Sequence, residues 1–232
     1  MKNPSSVRIP LQTGAATTAL VYDAAAEIGV RATLVLGHGA GAGQQSGFMV
    51  EFARGLSGLG LEAVTFNFPY IEQRRRIPDR APVLESCFRS VVEQLRNESR
   101  RAGRMMFIGG KSMGGRIATQ IAALDPDLPI AGLVLLGYPL HPPGRPAERR
   151  DKHLPAIRRP MLFVQGTRDP FGSPLELQPA LEGLDPPPRV YPIDGGDHSF
   201  KLPRKDAAAQ AAIHANVQQT IVSWIASVVR GR

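Results

Sequence analysis

Short apolar runs punctuate the chain at residues 33–36, 63–66, 105–108, 133–136 and 161–164, most of them flanked by Gly or Pro. None shows the strict alternation of a half-exposed strand. Strands of this kind need cover on both faces, as in a parallel sheet. Between them lie helical patterns. Val83, Leu84, Cys87, Phe88, Val91, Val92 and Leu95 recur at intervals of three and four, as do Ile213, Val217, Ile221, Trp224, Ile225 and Val228. This alternation predicts a three-layer α/β/α sandwich around a mostly parallel, twisted sheet. Residues 7–11 and 19–22 read as an antiparallel hairpin at the sheet edge, within the first 30 residues.

The chain has 232 residues and shows neither an internal repeat nor a dividing linker, so one domain over residues 1–232 is expected. Pro- and Gly-rich stretches at 140–146 and 184–188 are short and read as loops. Cys87 is the single cysteine, which excludes an internal disulfide and a cysteine metal cluster. It lies on the apolar stripe of a helical pattern and is expected in the core. The longest apolar stretch, 130–140, is 11 residues and contains two glycines and a proline. A spanning helix needs roughly 18 or more. No apolar segment of a secretory signal follows the N-terminus, so the cytoplasm is the expected compartment, with no membrane partner.

Lys plus Arg outnumber Asp plus Glu by 28 to 20, a formal charge of +8. Such a balance invites a nucleic-acid partner. The charges are scattered, however, with one dense run at Arg74-Arg75-Arg76 and a looser group at Arg100, Arg101 and Arg104. No aromatic side chains are interleaved as a stacking platform. Nucleic acid is therefore not expected as a partner.

The chemistry concentrates at Gly110-Lys111-Ser112-Met113-Gly114, which follows the run at 105–108 and enters the helical pattern Ile117, Ile121, Leu124. This is G-x-S-x-G at a strand-to-helix turn, where a serine is held in strained geometry with its hydroxyl above the sheet. The same residues mimic the end of a phosphate-binding loop, but that motif needs a glycine where Met105 stands. A serine hydroxyl is a weak nucleophile until a neighbouring base takes its proton. In this arrangement acid and histidine follow in that order, each beyond a later strand. Asp169 lies just past the run at 161–164, and His198 just past the run at 189–193. They follow Ser112 by 57 and 86 residues. Asp194 is the second-choice acid. Asp197 is too close to His198 in sequence to aim at its ring.

Acyl transfer also needs donors for an oxyanion. The Met113 amide is one candidate. The other is the Ala40 amide, with Gly41 behind it, in His38-Gly39-Ala40-Gly41-Ala42-Gly43. That glycine cluster fails as a dinucleotide fingerprint, because Gln44 or Ser46 stands where its third glycine belongs. Neither a metal nor an organic cofactor is implied. His38 is expected to orient its loop, His141 and His153 to be solvated, and His214 to lie at the surface. Lys111 and Arg116 flank the candidate nucleophile, and Arg168 precedes the candidate acid. The plain expectation is solvated charge at helix ends and loops; the functional one is attraction of an anionic ester. Lys111, Tyr70 and Arg116 are the candidate substrate-rim residues, with the stretch 70–80 forming one rim.

The motifs around His38, Ser112 and His198 resemble those of the α/β-hydrolase superfamily over residues 33–230. More narrowly, Gly109-Gly110-Lys111-Ser112-Met113-Gly114-Gly115-Arg116, Gly195-Gly196-Asp197-His198-Ser199-Phe200 and the stretch 136–144 are similar to a dienelactone-hydrolase-related bacterial group. That group is similar in turn to the hydrolase-like subunit of the eukaryotic non-specific-lethal chromatin complex. The resemblance implies an eight-stranded type of sheet and a Ser112–His198–Asp169 triad. It implies a serine hydrolase acting on a small-molecule ester or thioester. An acyltransferase or perhydrolase with the same triad, and a non-catalytic interaction module with a basic surface, are the alternatives. Dienelactone hydrolases proper use a cysteine nucleophile, whereas this chain has serine. Only 20 residues, 138–157, separate two successive strand regions where relatives carry a helical cap. With four Lys or Arg and five prolines among them, no large cap domain is expected.

Overall fold

The computed structural model describes residues 3–25, 29–203 and 206–231. Eight strands form one sheet: β1 (Ser5–Pro10), β2 (Ala16–Tyr22), β3 (Ala32–Gly37), β4 (Glu62–Phe66), β5 (Met105–Lys111), β6 (Gly132–Leu136), β7 (Met161–Gly166) and β8 (Arg189–Ile193). Their spatial order is β1-β2-β4-β3-β5-β6-β7-β8. The edge hairpin pairs Ser5 with Val21 through Pro10 with Ala16, so its second strand starts three residues earlier than the apolar pattern indicates. β2 meets β4 antiparallel, and every later pairing is parallel.

The double-sided burial of the central strands is explicit in their alternation. Val35, Ile108, Leu133, Leu135 and Phe163 belong to one apolar cluster. Leu34, Leu36, Phe107, Val134 and Leu162 belong to another, on the opposite face. Successive side chains of a strand point to opposite faces, so a run of unbroken apolar residues feeds two cores at once. One core is completed by α3 (Ala81–Arg96) and α4 (Met113–Leu124), through residues such as Phe88, Val91 and Ile117. The other is completed by α1 (Gly47–Gly58) and α6 (Ala207–Arg230), through Phe52, Leu56, Val217 and Ile221. Cys87 is buried in the first core, and burial pushes its thiol up to about 12. Leu124, which the helical pattern includes, is exposed at the end of α4.

Two short helices complete the set: α2 (Pro69–Glu72) after β4, and α5 (Pro174–Leu181) after β7. A capping box starts α5, in which Ser173 Oγ accepts from the Glu176 amide and Glu176 accepts from the Ser173 amide. Between β6 and β7 the chain makes a single 3-10 turn, Leu154–Ala156, so no cap covers the C-terminal ends of the strands. Among the described residues, no helix is long and apolar enough to cross a membrane.

At the centre, β3, β5 and α4 approach so closely that only glycine fits. A Cβ on Gly114 would lie 2.1 Å from the Gly37 carbonyl oxygen, and one on Gly110 would lie 2.2 Å from the same atom. Both neighbours are backbone and cannot step aside. Gly114→Ala is expected to lower stability by about 3 kcal/mol, the upper end of overpacking costs, and chemical denaturation measures it. A change below about 0.5 kcal/mol would mean that strand and helix can separate without penalty.

Candidate active site

Ser112 stands between β5 and α4 with φ 51° and ψ −113°, a conformation that non-glycine residues rarely adopt. The surrounding hydrogen bonds over-determine it. Its amide donates to the Leu136 carbonyl at 2.9 Å, and its carbonyl accepts from the Arg116 amide at 3.0 Å. Ser112 is the N-cap of α4, yet its hydroxyl caps nothing. Instead Oγ lies 2.8 Å from His198 Nε2. Strain of this kind persists only where the surroundings enforce it, and it frees the hydroxyl from the helix.

His198 comes from the loop after β8, and its Nδ1 lies 2.8 Å from Asp169 Oδ2. Asp169 sits in the turn after β7, its side chain 0% exposed. Its Oδ1 accepts from the Phe171 amide at 2.8 Å, and Oδ2 also accepts from Gln165 Nε2 at 2.9 Å. A buried carboxylate is tolerable when its lone pairs are occupied in this way. With both oxygens of Asp169 accepting, His198 Nδ1 carries the proton and Nε2 is left to accept from the Ser112 hydroxyl. Gln165 is fully buried at the end of β7, and its Oε1 accepts from the Tyr138 amide, tying this turn to the end of β6. Phe171 stacks on the His198 ring with centroids 4.1 Å apart. Sequence patterns single out neither Gln165 nor Phe171. The one available signal is a glutamine interrupting the end of an apolar strand.

A cavity of about 550 Å³ opens in front of Ser112 and His198, lined by Gly39, Ala40, Phe48, Met113 and Phe171 among others. Ala40 therefore faces it, and Gly41 does not. Neither the Ala40 nor the Met113 amide has a hydrogen-bond partner among the described residues. His38 holds this loop: its Nε2 accepts from the Phe68 amide at 3.0 Å, and its Nδ1 bonds the Gly39 carbonyl at 2.8 Å. Burial pulls the His38 imidazole down to about 4, so the ring is neutral, as its accepting Nε2 requires.

Several sequence expectations are corrected. Tyr70 is no rim residue: it is 0% exposed and packs edge-on against His38 at 5.8 Å, beneath the loop. In the stretch 70–80, Pro78 and Asp79 line the cavity, whereas Arg74, Arg75 and Arg76 are exposed outside it. His141 is buried rather than solvated, its Nε2 3.3 Å from Glu176 of α5, because the loop after β6 folds back under that helix. His153 is half-buried and bonds Thr119 Oγ1 at 2.8 Å. His214 is half-buried against Glu51 at 2.7 Å. Asp194 and Arg168 are exposed and do not line the cavity, while Asp197 structures its own turn by accepting from the Ser199 and Lys201 amides.

Lys111 differs most from the plain expectation. It is the last residue of β5, 8% exposed, and its ammonium donates to the His198 carbonyl at 2.6 Å. The Phe48 and Phe200 rings flank it at 5.7 and 5.8 Å. Desolvation pulls its pKa down to about 8, partly offset by Asp169 and Asp197. The amine thus holds the backbone of the residue whose ring faces Ser112. Among the described residues no three His, Cys, Asp or Glu side chains cluster to hold a metal ion.

Comparison with known proteins identifies the lineage. The family model described as alpha/beta hydrolase domain matches residues 30–226. A serine hydrolase without lid from Xanthomonas campestris is 18% identical with a TM-score of 0.73, over 97% of this chain and 96% of that one. Est1E from Butyrivibrio proteoclasticus is 13% identical with a TM-score of 0.74, over 95% and 99% of the two chains. Dienelactone hydrolase from Anabaena variabilis is 19% identical with a TM-score of 0.70, over 94% and 97%. At these identities the structures show a shared fold.

Lys111→Met keeps length and apolar packing but removes the donor to His198. The expected result is a kcat about 10- to 100-fold lower with KM within about threefold, as for a displaced catalytic group. The folded state releases the Lys111 proton from about pH 8, whereas an exposed lysine keeps it to 10.5. Between those values the unfolded state binds more protons, so wild type gains stability relative to Lys111→Met as pH rises. Denaturation midpoints at pH 7 and 10 measure this; parallel behaviour of the two proteins would contradict it.

Proposed function

The chain belongs to the α/β-hydrolase family, and on that premise we propose that it is a serine hydrolase cleaving a carboxylic ester or thioester of a small-to-medium acyl group. The observation that carries this is the unbroken chain Ser112 Oγ to His198 Nε2 to Asp169, with both links at 2.8 Å, on a serine held at positive φ. Ser112 Oγ attacks the carbonyl carbon while His198 Nε2 takes its proton. Asp169 holds the imidazole in the tautomer that makes this possible and stabilises the imidazolium. The carbonyl oxygen, now negative, accepts from the Ala40 and Met113 amides, donors that cost no reorganisation because they are already unpaired. His198 then protonates the leaving alcohol or thiol, and the acyl group stays on Ser112. With no cap between β6 and β7, water reaches the acyl-enzyme, loses a proton to His198 and releases the acid.

The motifs shared with the dienelactone-hydrolase-related group support a small-molecule substrate, but serine in place of cysteine argues against dienelactone itself. The alternative is a non-catalytic interaction module. A scaffold without catalysis would have no use for a strained serine aimed at a histidine.

Incubation with a fluorophosphonate probe is expected to modify Ser112, located by peptide mass spectrometry, and to fail with Ser112→Ala. On a short-chain aryl ester, Ser112→Ala and His198→Ala are expected to lower kcat by about 10⁶. Asp169→Asn, which favours the wrong tautomer, is expected to lower it by about 10⁴. A folded wild-type protein that neither labels nor hydrolyses any ester or thioester would refute the assignment.

A further inference from the structure

Two arginines line the same cavity as Ser112 and His198. Arg116 lies one turn along α4 from Ser112, and Arg150 lies in the loop after β6. Both are half-buried, and neither makes an ion pair or a side-chain hydrogen bond among the described residues. The other arginines of that loop behave differently: Arg145 pairs with Glu148, and Arg149 with Asp151. Arg116 and Arg150 are also close enough to repel. Burial first and then the Arg116 charge push the Arg150 pKa down. After burial, the same Arg116 charge helps hold His153 down at about 4, so that neighbour stays neutral.

The backbone carrying Arg150 is fixed. Its amide donates to the Leu140 carbonyl at 2.8 Å, and its carbonyl accepts from the Tyr138 hydroxyl at 2.6 Å. Tyr138 itself is fully buried, two residues past the end of β6. Arg116 is fixed by the helix that starts at Ser112. Two like charges on rigid supports, partly desolvated and with no ion-pair partner among the described residues (Glu148 offsets Arg150 only from a distance), are unfavourable in the empty cavity and complementary to an oxyanion. The one carboxylate among the described residues lining the cavity, Asp79, pairs through Oδ1 with Arg75 at 2.5 Å and not with either arginine of the cavity, its Oδ2 being buried without a partner. The third cavity cation, Lys111, is committed to the His198 carbonyl.

Building on the serine-hydrolase assignment, we propose that Arg116 and Arg150 form a carboxylate subsite, so that the preferred substrate is an ester or thioester carrying a free carboxylate away from the scissile bond. Planar guanidinium groups match the two oxygens of a carboxylate in geometry as well as charge. Arg116 is four residues from Ser112 on the helix, so its backbone lies about 6 Å along the axis from that of Ser112, and its long side chain reaches the same cavity. That spacing fits a carboxylate several bonds from the reacting carbonyl.

The test compares the 4-nitrophenyl monoester of adipate, the neutral 4-nitrophenyl hexanoate and the cationic 6-aminohexanoate ester. Wild type is expected to favour the adipate ester over hexanoate in kcat/KM and to disfavour the cationic ester. Arg116→Gln and Arg150→Gln are each expected to cut the adipate-to-hexanoate ratio about tenfold, mainly through KM. The wild-type ratio should also fall as salt is raised. A ratio near one that neither substitution nor salt changes would overturn the subsite while leaving the hydrolase intact. Binding of adipate to Ser112→Ala, followed by calorimetry with and without Arg116→Gln and Arg150→Gln, reads the subsite without any turnover. Adipate binding lost with the arginines, in a protein that hydrolyses nothing, would keep the subsite and refute the hydrolase.

Discussion

The near-contact of β3, β5 and α4 is the constraint on which the site depends. Gly110 and Gly114 let the backbones of β5 and α4 meet that of β3 at Gly37 at distances that no Cβ on either glycine allows. Because the helix leaves the strand so abruptly, Ser112 is forced to positive φ, and its hydroxyl projects clear of both elements. The same closeness brings the loop after β3, with Ala40, alongside the first turn of α4, with Met113. Candidate nucleophile and candidate oxyanion donors therefore share one structural cause. The strain at Ser112 is offset by the large two-faced core around it.

Around that point, the site is held by polar groups that the apolar sheet would otherwise exclude. Gln165 occupies a buried position in β7 and joins the end of β6 to the turn that bears Asp169. Lys111 occupies the last position of β5 and joins it to the loop that bears His198. Each is a cross-strand tie made by a side chain near the C-terminal end of a strand, where loops would otherwise be free to move. Buried polar groups are costly unless paired, so both ties act as locks: the loop must be in place for the group to be satisfied. His38 plays the corresponding role for the loop after β3.

The charge of the cavity follows from which cations are already engaged. Lys111 lies next to Ser112 in sequence and contributes a tie, whereas Arg150, 38 residues away, contributes a guanidinium without an ion-pair partner among the described residues. Proximity in the chain is a poor guide here because Lys111 lines the cavity beside Ser112 yet is buried, with its ammonium engaged by the His198 carbonyl. Arg116, one helical turn on, returns to the side of the cavity.

Much of the fold was legible in local pattern. The five apolar runs became β3 to β7 because double-sided burial leaves a compositional mark, and the stripes around Cys87 and Trp224 became α3 and α6. Ser112, Asp169 and His198 were legible as a candidate site because acyl-transfer motifs place those residue types in that order after successive strands, and the structure brings the three side chains within hydrogen-bond distance. Their mutual distances, and the engagement of Lys111, Gln165 and Phe171, were decided only by tertiary structure. The burial of Tyr70, His141 and His153 was decided there as well. A residue's solvation depends on which loop folds over it, and the loop after β6 closes through contacts distant in sequence, such as that of His141 with Glu176. Hydrophobic period and backbone strain are properties of a local stretch, so the sequence states them. Desolvation and charge pairing belong to the assembled fold, where side chains far apart in the chain meet.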